Sequence, residues 1–166
     1  MILKRKVLEE VGAFDPKFVA YWEDVDLSWR IRLKGYKIKF VPKARIYHKI
    51  SRTINQYGSR SKISFHIRKN RISGLLKNYS TVNLLKSLPV LLLIYLMIFI
   101  KELVIDMDIK MALSSFSAIA WNINELPYIF KMRRFVQSTV RRIPDAQIIG
   151  LMKRNCLLMD FLKEMR

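Results

Sequence analysis

The sequence predicts an α/β unit over residues 1–80 followed by a helical tail over residues 81–166. Two observations divide the chain there. Up to Ser80, short stretches of helical and alternating periodicity take turns, with glycine and proline between them. After Ser80 the pattern is helical, and it opens with thirteen consecutive apolar residues, Leu88–Ile100, with Pro89 counted among them.

In the first part, "KRKVLEEVG" predicts a short helix with Val7, Leu8 and Val11 on one side and Gly12 as its stop. "AFDPKF" is a turn, its bend preset by Asp15-Pro16. A second helix is expected from Glu23 to Lys34, with Val25, Trp29 and Leu33 as a buried stripe, Asp26 and Arg30 paired at i, i+4, and Gly35 at its end. "YKIKFV" alternates Tyr36, Ile38 and Phe40 against lysines and predicts a half-buried strand. Pro42 ends it, and "ARIYH" predicts a second one. Residues 51–61 read as an exposed loop.

In the second part, Ser87 is the expected cap of the apolar helix, with Pro89 in its first turn. A helix apolar on all sides is buried in protein or lipid. Thirteen residues reach ~20 Å, short of a ~30 Å hydrocarbon core, so a re-entrant or inserted helix and a soluble core helix both remain open. Next comes a stripe of Ile109, Leu113, Phe116, Ala120 and Ile123, opposite Lys110, Ser114, Ser117 and Asn124. After Pro127 a second stripe, Ile129, Met132, Val136, Val140 and Ile143, is accompanied by Lys131, Arg133, Arg134, Arg141 and Arg142. A basic amphipathic helix beside a very apolar one points to a membrane surface or to ordinary packing on a neighbour. Pro144-Asp145 starts a last helix toward Arg166.

Charge narrows the function classes. Lys and Arg total 31 against 13 Asp and Glu, a formal net charge of +18. Between Asp26 and Glu102 there is no acid but seventeen bases, which suits a polyanionic partner such as membrane head groups or nucleotide phosphates. No recognition helix or RNA-binding signature accompanies the charge, so nucleic acid is not the expected partner. The one cysteine, Cys156, has no metal-ligand spacing around it, and the two histidines, His48 and His66, form no metal motif. "MILKRKVLEE" lacks the apolar stretch of a secretory signal.

Against this basic background Glu23, Asp24 and Asp26 stand within four residues, in "YWEDVDLSWR". At a helix start such acids cap free N–H groups and form salt bridges, or one of them serves as a base beside a cleft. The stretch from Val7 to Thr53 resembles the acceptor-side segment of inverting family-2 glycosyltransferases. The likeness is carried in order by Gly12, Phe14 and Asp15, then Tyr21, Glu23-Asp24, Asp26, Arg30 and Arg32, Gly35-Tyr36, Val41-Pro42 and Tyr47-His48. "RKNRISGLLKNYS" and "ELPYIFKMRRFVQSTVRRIPDAQI" resemble, more loosely, the tail of rhamnosyltransferase-like members.

The resemblance implies the C-terminal part of a GT-A domain followed by a membrane-associated tail on the cytoplasmic face. It implies transfer of a sugar, with inversion, from a nucleotide-diphospho-sugar to a lipid-linked or polysaccharide acceptor. Asp24 becomes the base, with Glu23 orienting the acceptor or the loop. Tyr21, Trp22 and Arg30 become acceptor contacts, although Asp26 is also placed to hold Arg30. His48 matches a position that approaches a metal or phosphate, and a divalent cation, Mg or Mn, is expected in the complete enzyme. The Asp-x-Asp motif of the nucleotide-binding half does not precede Asp24, and Asp106–Asp108 has its letters only among apolar helices. The expectation is therefore a C-terminal fragment without its nucleotide-binding half, from a split gene, a truncated reading frame or one half of a two-chain enzyme with a separate nucleotide-binding chain, or else a non-catalytic remnant that binds membrane or a partner.

Overall fold

The computed structural model describes residues 2–45, 47 and 58–151. They form seven α-helices: α1 (Arg5–Val11), α2 (Glu23–Leu33), α3 (Arg60–Asn78), α4 (Thr81–Val104), α5 (Ile109–Asn124), α6 (Leu126–Phe135) and α7 (Asp145–Ile149). A π-helical turn, Val136–Val140, extends α6. Among the described residues there is no strand, so the α/β expectation, and with it the GT-A sheet, is overturned.

The reason lies in what a strand requires. Tyr36–Val41 alternates as a strand would, but among the described residues it meets no ladder partner, and past Tyr36, which packs against the core, its residues stay exposed. Phe40 is 88 % exposed, and the segment is irregular. Alternation is only half of the requirement, since a strand also needs an edge to pair with. Its expected partner, residues 44–48, is irregular and exposed at 44, 45 and 47. Its other two residues, 46 and 48, lie outside the described residues, as do residues 51–57 of the expected loop.

The two short helices follow their stop signals. Gly12 closes α1 at φ +78°, with its N–H donating to the Leu8 carbonyl. At the end of α2 the Gly35 N–H reaches the Arg32 carbonyl and the Tyr36 N–H the Ile31 carbonyl, with Gly35 at φ +96°. That is a Schellman closure, and the positive φ is why glycine stands there. The expected stripe of α2 is only partly right, because Val25 is exposed while Leu27, Trp29, Ile31 and Leu33 are buried along with Asp26 and Arg30. The helix is covered on several sides, by α1, α3, the π turn and α7. The core joins Val7, Val11, Leu27, Trp29, Ile72, Leu75, Leu91, Tyr95, Val136 and Val140. In it the Trp29 and Tyr79 rings meet edge to face at 4.7 Å.

α4 starts earlier than expected. Ser80, not Ser87, is its cap, and Pro89 lies inside the helix. Asp145 fixes this start by accepting from the Ser80 N–H at 2.8 Å and from Asn83 Nδ2 at 2.7 Å. The mixed composition of Thr81–Lys86 hides these first turns, and a partner 65 positions away completes them.

α5 turns its expected apolar stripe outward. Leu113 is 51 % and Phe116 66 % exposed, whereas Ser114, Ser115, Ala118 and Asn122 are buried. α6 behaves as expected, burying Ile129, and Val136 and Val140 of the π turn continue its stripe into the core. Its cations have a structural use. Arg133 donates to the carbonyls of Leu76 at 2.6 Å and Tyr79 at 2.7 Å, and Arg141 donates to that of Asn78. Guanidinium groups thus meet the unpaired carbonyls at the end of α3, where cations are favoured. The final helix is described over Asp145–Ile149, and Cys156 lies outside the described residues.

Candidate functional site at the start of helix α2

The chain enters α2 through two non-glycine residues in the left-handed region, Tyr21 at φ +64° and Trp22 at φ +68°. Such backbone costs energy and persists only where its surroundings hold it. Asn70 of α3 supplies the hold: its Nδ2 donates to the carbonyls of Ala20 and Tyr21, both at 2.7 Å. The Trp22 ring lies against Gly74 of α3, where an added Cβ would stand 3.4 Å from it, and the Arg71 guanidinium is 5.8 Å from the ring centroid. Trp22 is therefore docked on α3.

Beyond this bend the three acids separate. Trp22, the residue before the helix, makes no side-chain cap; Asp24 Oδ1 accepts from the Val25 N–H at 2.8 Å. Asp24 is exposed, and Glu23 is partly buried with its Oε2 lacking a hydrogen-bond partner among the described residues. Asp26 is buried. Its Oδ1 accepts from Asn78 at 2.9 Å and lies 3.1 Å from Lys77 Nζ, while its Oδ2 accepts from Arg30 Nε at 3.0 Å.

Arg30 spends its remaining donors on the end of α1, on the carbonyls of Val11, Gly12 at 2.9 Å and Ala13 at 2.8 Å. It is 2 % exposed, and its structural task is visible: it ties α2 to α1. The network continues through Lys77, whose Nζ donates to Asp15 Oδ2 at 2.5 Å. Asp15 also accepts from Tyr128 at 2.7 Å and the Lys17 N–H at 2.9 Å. Burial works against the charge of Asp15, but the Lys77 ammonium and these donors outweigh it and hold its carboxyl below the ordinary range.

Asp24, Ser28 and Arg32, at i, i+4 and i+8, line a groove of about 330 Å³, with Val25, Trp29, Ile38, Ile148 and Leu151 as its apolar walls. An acid, a hydroxyl and a guanidinium along one edge of an apolar groove can take a proton, orient a hydroxyl and meet an anion. Of the candidate catalytic, acceptor-binding and metal residues expected from the sequence, Asp24 alone lines this groove. Glu23 is its neighbour in the chain, Tyr21 and Trp22 form the bend before it, Arg30 is in the interior, and His48 lies outside the described residues. Ser28 and Lys77 were not singled out, and Arg32 was named only among the residues that carry the resemblance. Ser28 and Arg32 carry a readable signal, the helical spacing from Asp24.

No group of three or more His, Cys, Asp or Glu residues able to hold a metal occurs among the described residues. Asp15 and Asp26 are occupied by Lys77, Arg30, Asn78 and Tyr128 and do not suit a divalent cation.

No family model matches the chain, and no solved structure matches it. Over 48 residues it is 35 % identical to N-acetylglucosaminyl-diphospho-decaprenol L-rhamnosyltransferase of Mycobacterium tuberculosis, in two strains. The match takes in 29 % of this chain and 16 % of the relative, so the chain spans about a sixth of the length of the curated proteins it matches. It has a distant, partial similarity to a glycosyltransferase.

Proposed function

We propose that this chain carries the acceptor side of an inverting sugar transferase. The reaction moves a sugar from a nucleotide-diphospho-sugar to a lipid-linked or polysaccharide acceptor at the cytoplasmic face of a membrane. The nucleotide-sugar site, with any divalent cation it uses, belongs to chain beyond the residues described here, on the same or a separate polypeptide. One observation carries the reading: of two acids two positions apart, Asp24 is exposed at the lip of a groove and Asp26 is enclosed in ion pairs.

In the proposed step the acceptor oxygen bonds to the anomeric carbon while the bond to the nucleotide diphosphate breaks, and Asp24 takes the hydroxyl proton. A base must stand within hydrogen-bond reach of that proton, and an acid open to the groove leaves room for an acceptor hydroxyl to come that close. Arg32 is placed to receive an anionic part of the acceptor, and Ser28 to orient its hydroxyl. The bend at Tyr21-Trp22, clamped by Asn70, fixes the first turn that carries Asp24.

The test compares Asp24→Asn with Asp26→Asn in the chain reconstituted with a nucleotide-binding partner, candidate sugar nucleotides and a lipid-linked acceptor. Loss of a general base lowers the rate by ~10²–10⁴-fold. Asp24→Asn should show that loss with an unchanged melting temperature. Asp26→Asn should chiefly lower stability. Transfer at a near wild-type rate by Asp24→Asn places the base elsewhere and leaves a non-catalytic binding role as the better account.

A further inference from the structure

α4 is 24 residues long, or ~36 Å at ~1.5 Å per residue, so its length alone allows it to cross a ~30 Å hydrocarbon core. Its neighbours argue against crossing. α3 packs against both α4 and α5, and its other side carries the acid-bearing region. Asn70 holds the Ala20 and Tyr21 carbonyls, Lys69 Nζ donates to the Lys17 carbonyl at 2.9 Å, and Lys77 pairs with Asp15 and Asp26. Toward the hairpin, Arg68 holds Glu102 at 2.6 Å and Ser115 at 2.5 Å, and Ser73 donates to Asn122 at 2.7 Å. A crossing α4 would carry this charged layer, with exposed Arg60 and Lys62 of α3, to bilayer depth, where charge is costly.

The other side of the hairpin is the reverse in character. Leu93, Leu96, Ile100, Leu113, Phe116 and Ile123 are all at least half exposed. A crevice of about 150 Å³ opens there, lined by Leu92, Leu96, Phe99, Phe116 and Ile119 together with Tyr95 and Ser115, and its surface is almost wholly apolar. An apolar cavity of that size takes a benzene-sized hydrocarbon, which corresponds to a short piece of an acyl chain. Exposed Lys86, Lys110, Lys131 and Arg134 add positive charge to a chain of net +18. That charge repels a second copy of the chain and attracts anionic head groups.

We infer that α4 and α5 form a monotopic hairpin, immersed in one leaflet of an anionic bilayer by its apolar side, with both ends of α4 on the same side as the Asp24 groove. This rests on the membrane location in the proposed function and not on sugar transfer. Acyl chains cover the exposed leucines and phenylalanines. The polar groups between α3 and α5 hold the hairpin to the water-facing layer.

Two measurements on the full chain test this. The first is sedimentation with phosphatidylglycerol vesicles. Binding should survive ~1 M NaCl, where screening acts within ~3 Å. It should fall about tenfold or more in Leu96→Asp with Phe116→Asp, which puts charge on the lipid side. Phe40→Asp, off the hairpin, should leave it unchanged, as should Asp24→Asn, which separates this inference from the catalytic one. Release by salt alone, or full binding by the double variant, overturns the inference.

The second measurement places cysteines at exposed Lys86 and Lys110, one toward each end of α4, in a Cys156→Ser background. An impermeant maleimide should label both from the cytoplasmic face of membrane vesicles. Labelling from opposite faces makes α4 a span and overturns the hairpin.

Discussion

In α1 and α2, Val7, Val11, Leu27, Ile31 and Leu33 are inside, while Asp24, Ser28 and Arg32 line an open groove. In α4 and α5 the outer positions are Leu93, Leu96, Leu113 and Phe116, and Glu102, Ser114, Ser115 and Asn122 are inside. Both regions bury charge, and both pair it: Asp15 and Asp26 with Lys77 and Arg30 in one, Glu102 with Arg68 in the other. They differ in what they show their surroundings. A water-facing helix keeps its polar residues outside, and a lipid-facing one turns them toward its neighbours. α3 serves both, which is why a helix so polar is buried in the middle of the molecule. Its Lys77 and Asn78 answer the acids of the first region, and its Arg68 and Ser73 answer the polar face of the second.

The largest expected effect comes from breaking the charge cluster of the first region. Lys77 is 1 % exposed and stands between two buried carboxylates. Lys77→Met keeps the bulk and leaves Asp15 and Asp26 facing each other without their shared cation. Removing one partner of a buried pair costs about 3–5 kcal/mol. Denaturant melting should show that loss, and a cost below ~1 kcal/mol would mean that water reaches the cluster.

Acid is a milder way to reach the same groups. Asp15 is held below the ordinary carboxylate range, as described above. Asp145 is too, because burial, which opposes its charge, is outweighed by the donors Asn83, Ser80 and Arg141. A carboxylate with a lowered folded value contributes stability in full above its unfolded value of about 3.9, and loses it as pH falls through the folded one. Melting temperature should therefore be flat with respect to these two groups above about pH 5 and decline below about pH 4. Lys77→Met should flatten part of that decline, since Asp15 then loses its cation and keeps only the neutral donors Tyr128 and the Lys17 N–H. A decline of the same steepness in the variant assigns the acid sensitivity to Asp145 alone.

How far the molecule was readable follows the same contrast. Asp26–Arg30 was legible because helical geometry fixes i, i+4 neighbours, and Gly12 and Gly35 announced the ends of their helices. Lys77 was not, since it lies 62 positions from Asp15 and nothing local ties the two together. In α5 the periodicity was legible, and the side its stripe would face was not. A hydrophobic stripe states which residues share a face, but the solvent decides whether that face turns inward. The strand at Tyr36–Val41 failed for a related reason: alternation is local and its pairing is not. Asp24 was singled out by the ordered resemblance and not by its acidic neighbourhood, which Glu23 and Asp26 share, whereas the walls Ile148 and Leu151 come from the far end of the chain and carry no signal of their own.

The inverted polarity of the hairpin can be tested by weighing one polar and one apolar side chain on α5. Asn122 is 3 % exposed. It donates to the carbonyls of Lys69 at 3.0 Å and Ala118 at 2.8 Å and accepts from Ser73. Asn122→Ala strands these groups, and an unsatisfied buried polar group costs about 1–3 kcal/mol. Phe116 is 66 % exposed, and truncation at such a surface position costs within about 0.5 kcal/mol. The polar residue should therefore outweigh the larger aromatic in thermal melts of the chain without vesicles, the opposite of the order in a water-facing core. If Phe116→Ala is the more damaging of the two, the outer face is covered by protein in solution.

The smallest effect concerns the place where α3 meets the bend at Tyr21-Trp22. Gly74 lies within α3, and an interior glycine costs a helix ~1 kcal/mol relative to alanine. It makes room for the Trp22 ring, yet an alanine Cβ would stand 3.4 and 3.5 Å from that ring, at the near edge of ordinary contact. The backbone of Gly74 is helical, so no left-handed strain opposes the change. Gly74→Ala should therefore raise stability by about 0.5–1 kcal/mol and leave Trp22 where it is. The bend at Tyr21-Trp22 would then keep its shape, and the proposed sugar transfer, assayed in the reconstituted chain, would be unchanged. A fall in melting temperature together with slower transfer would instead show that the ring needs every tenth of an ångström beside Gly74. In that case the position of Asp24 depends on how closely Trp22 seats on α3.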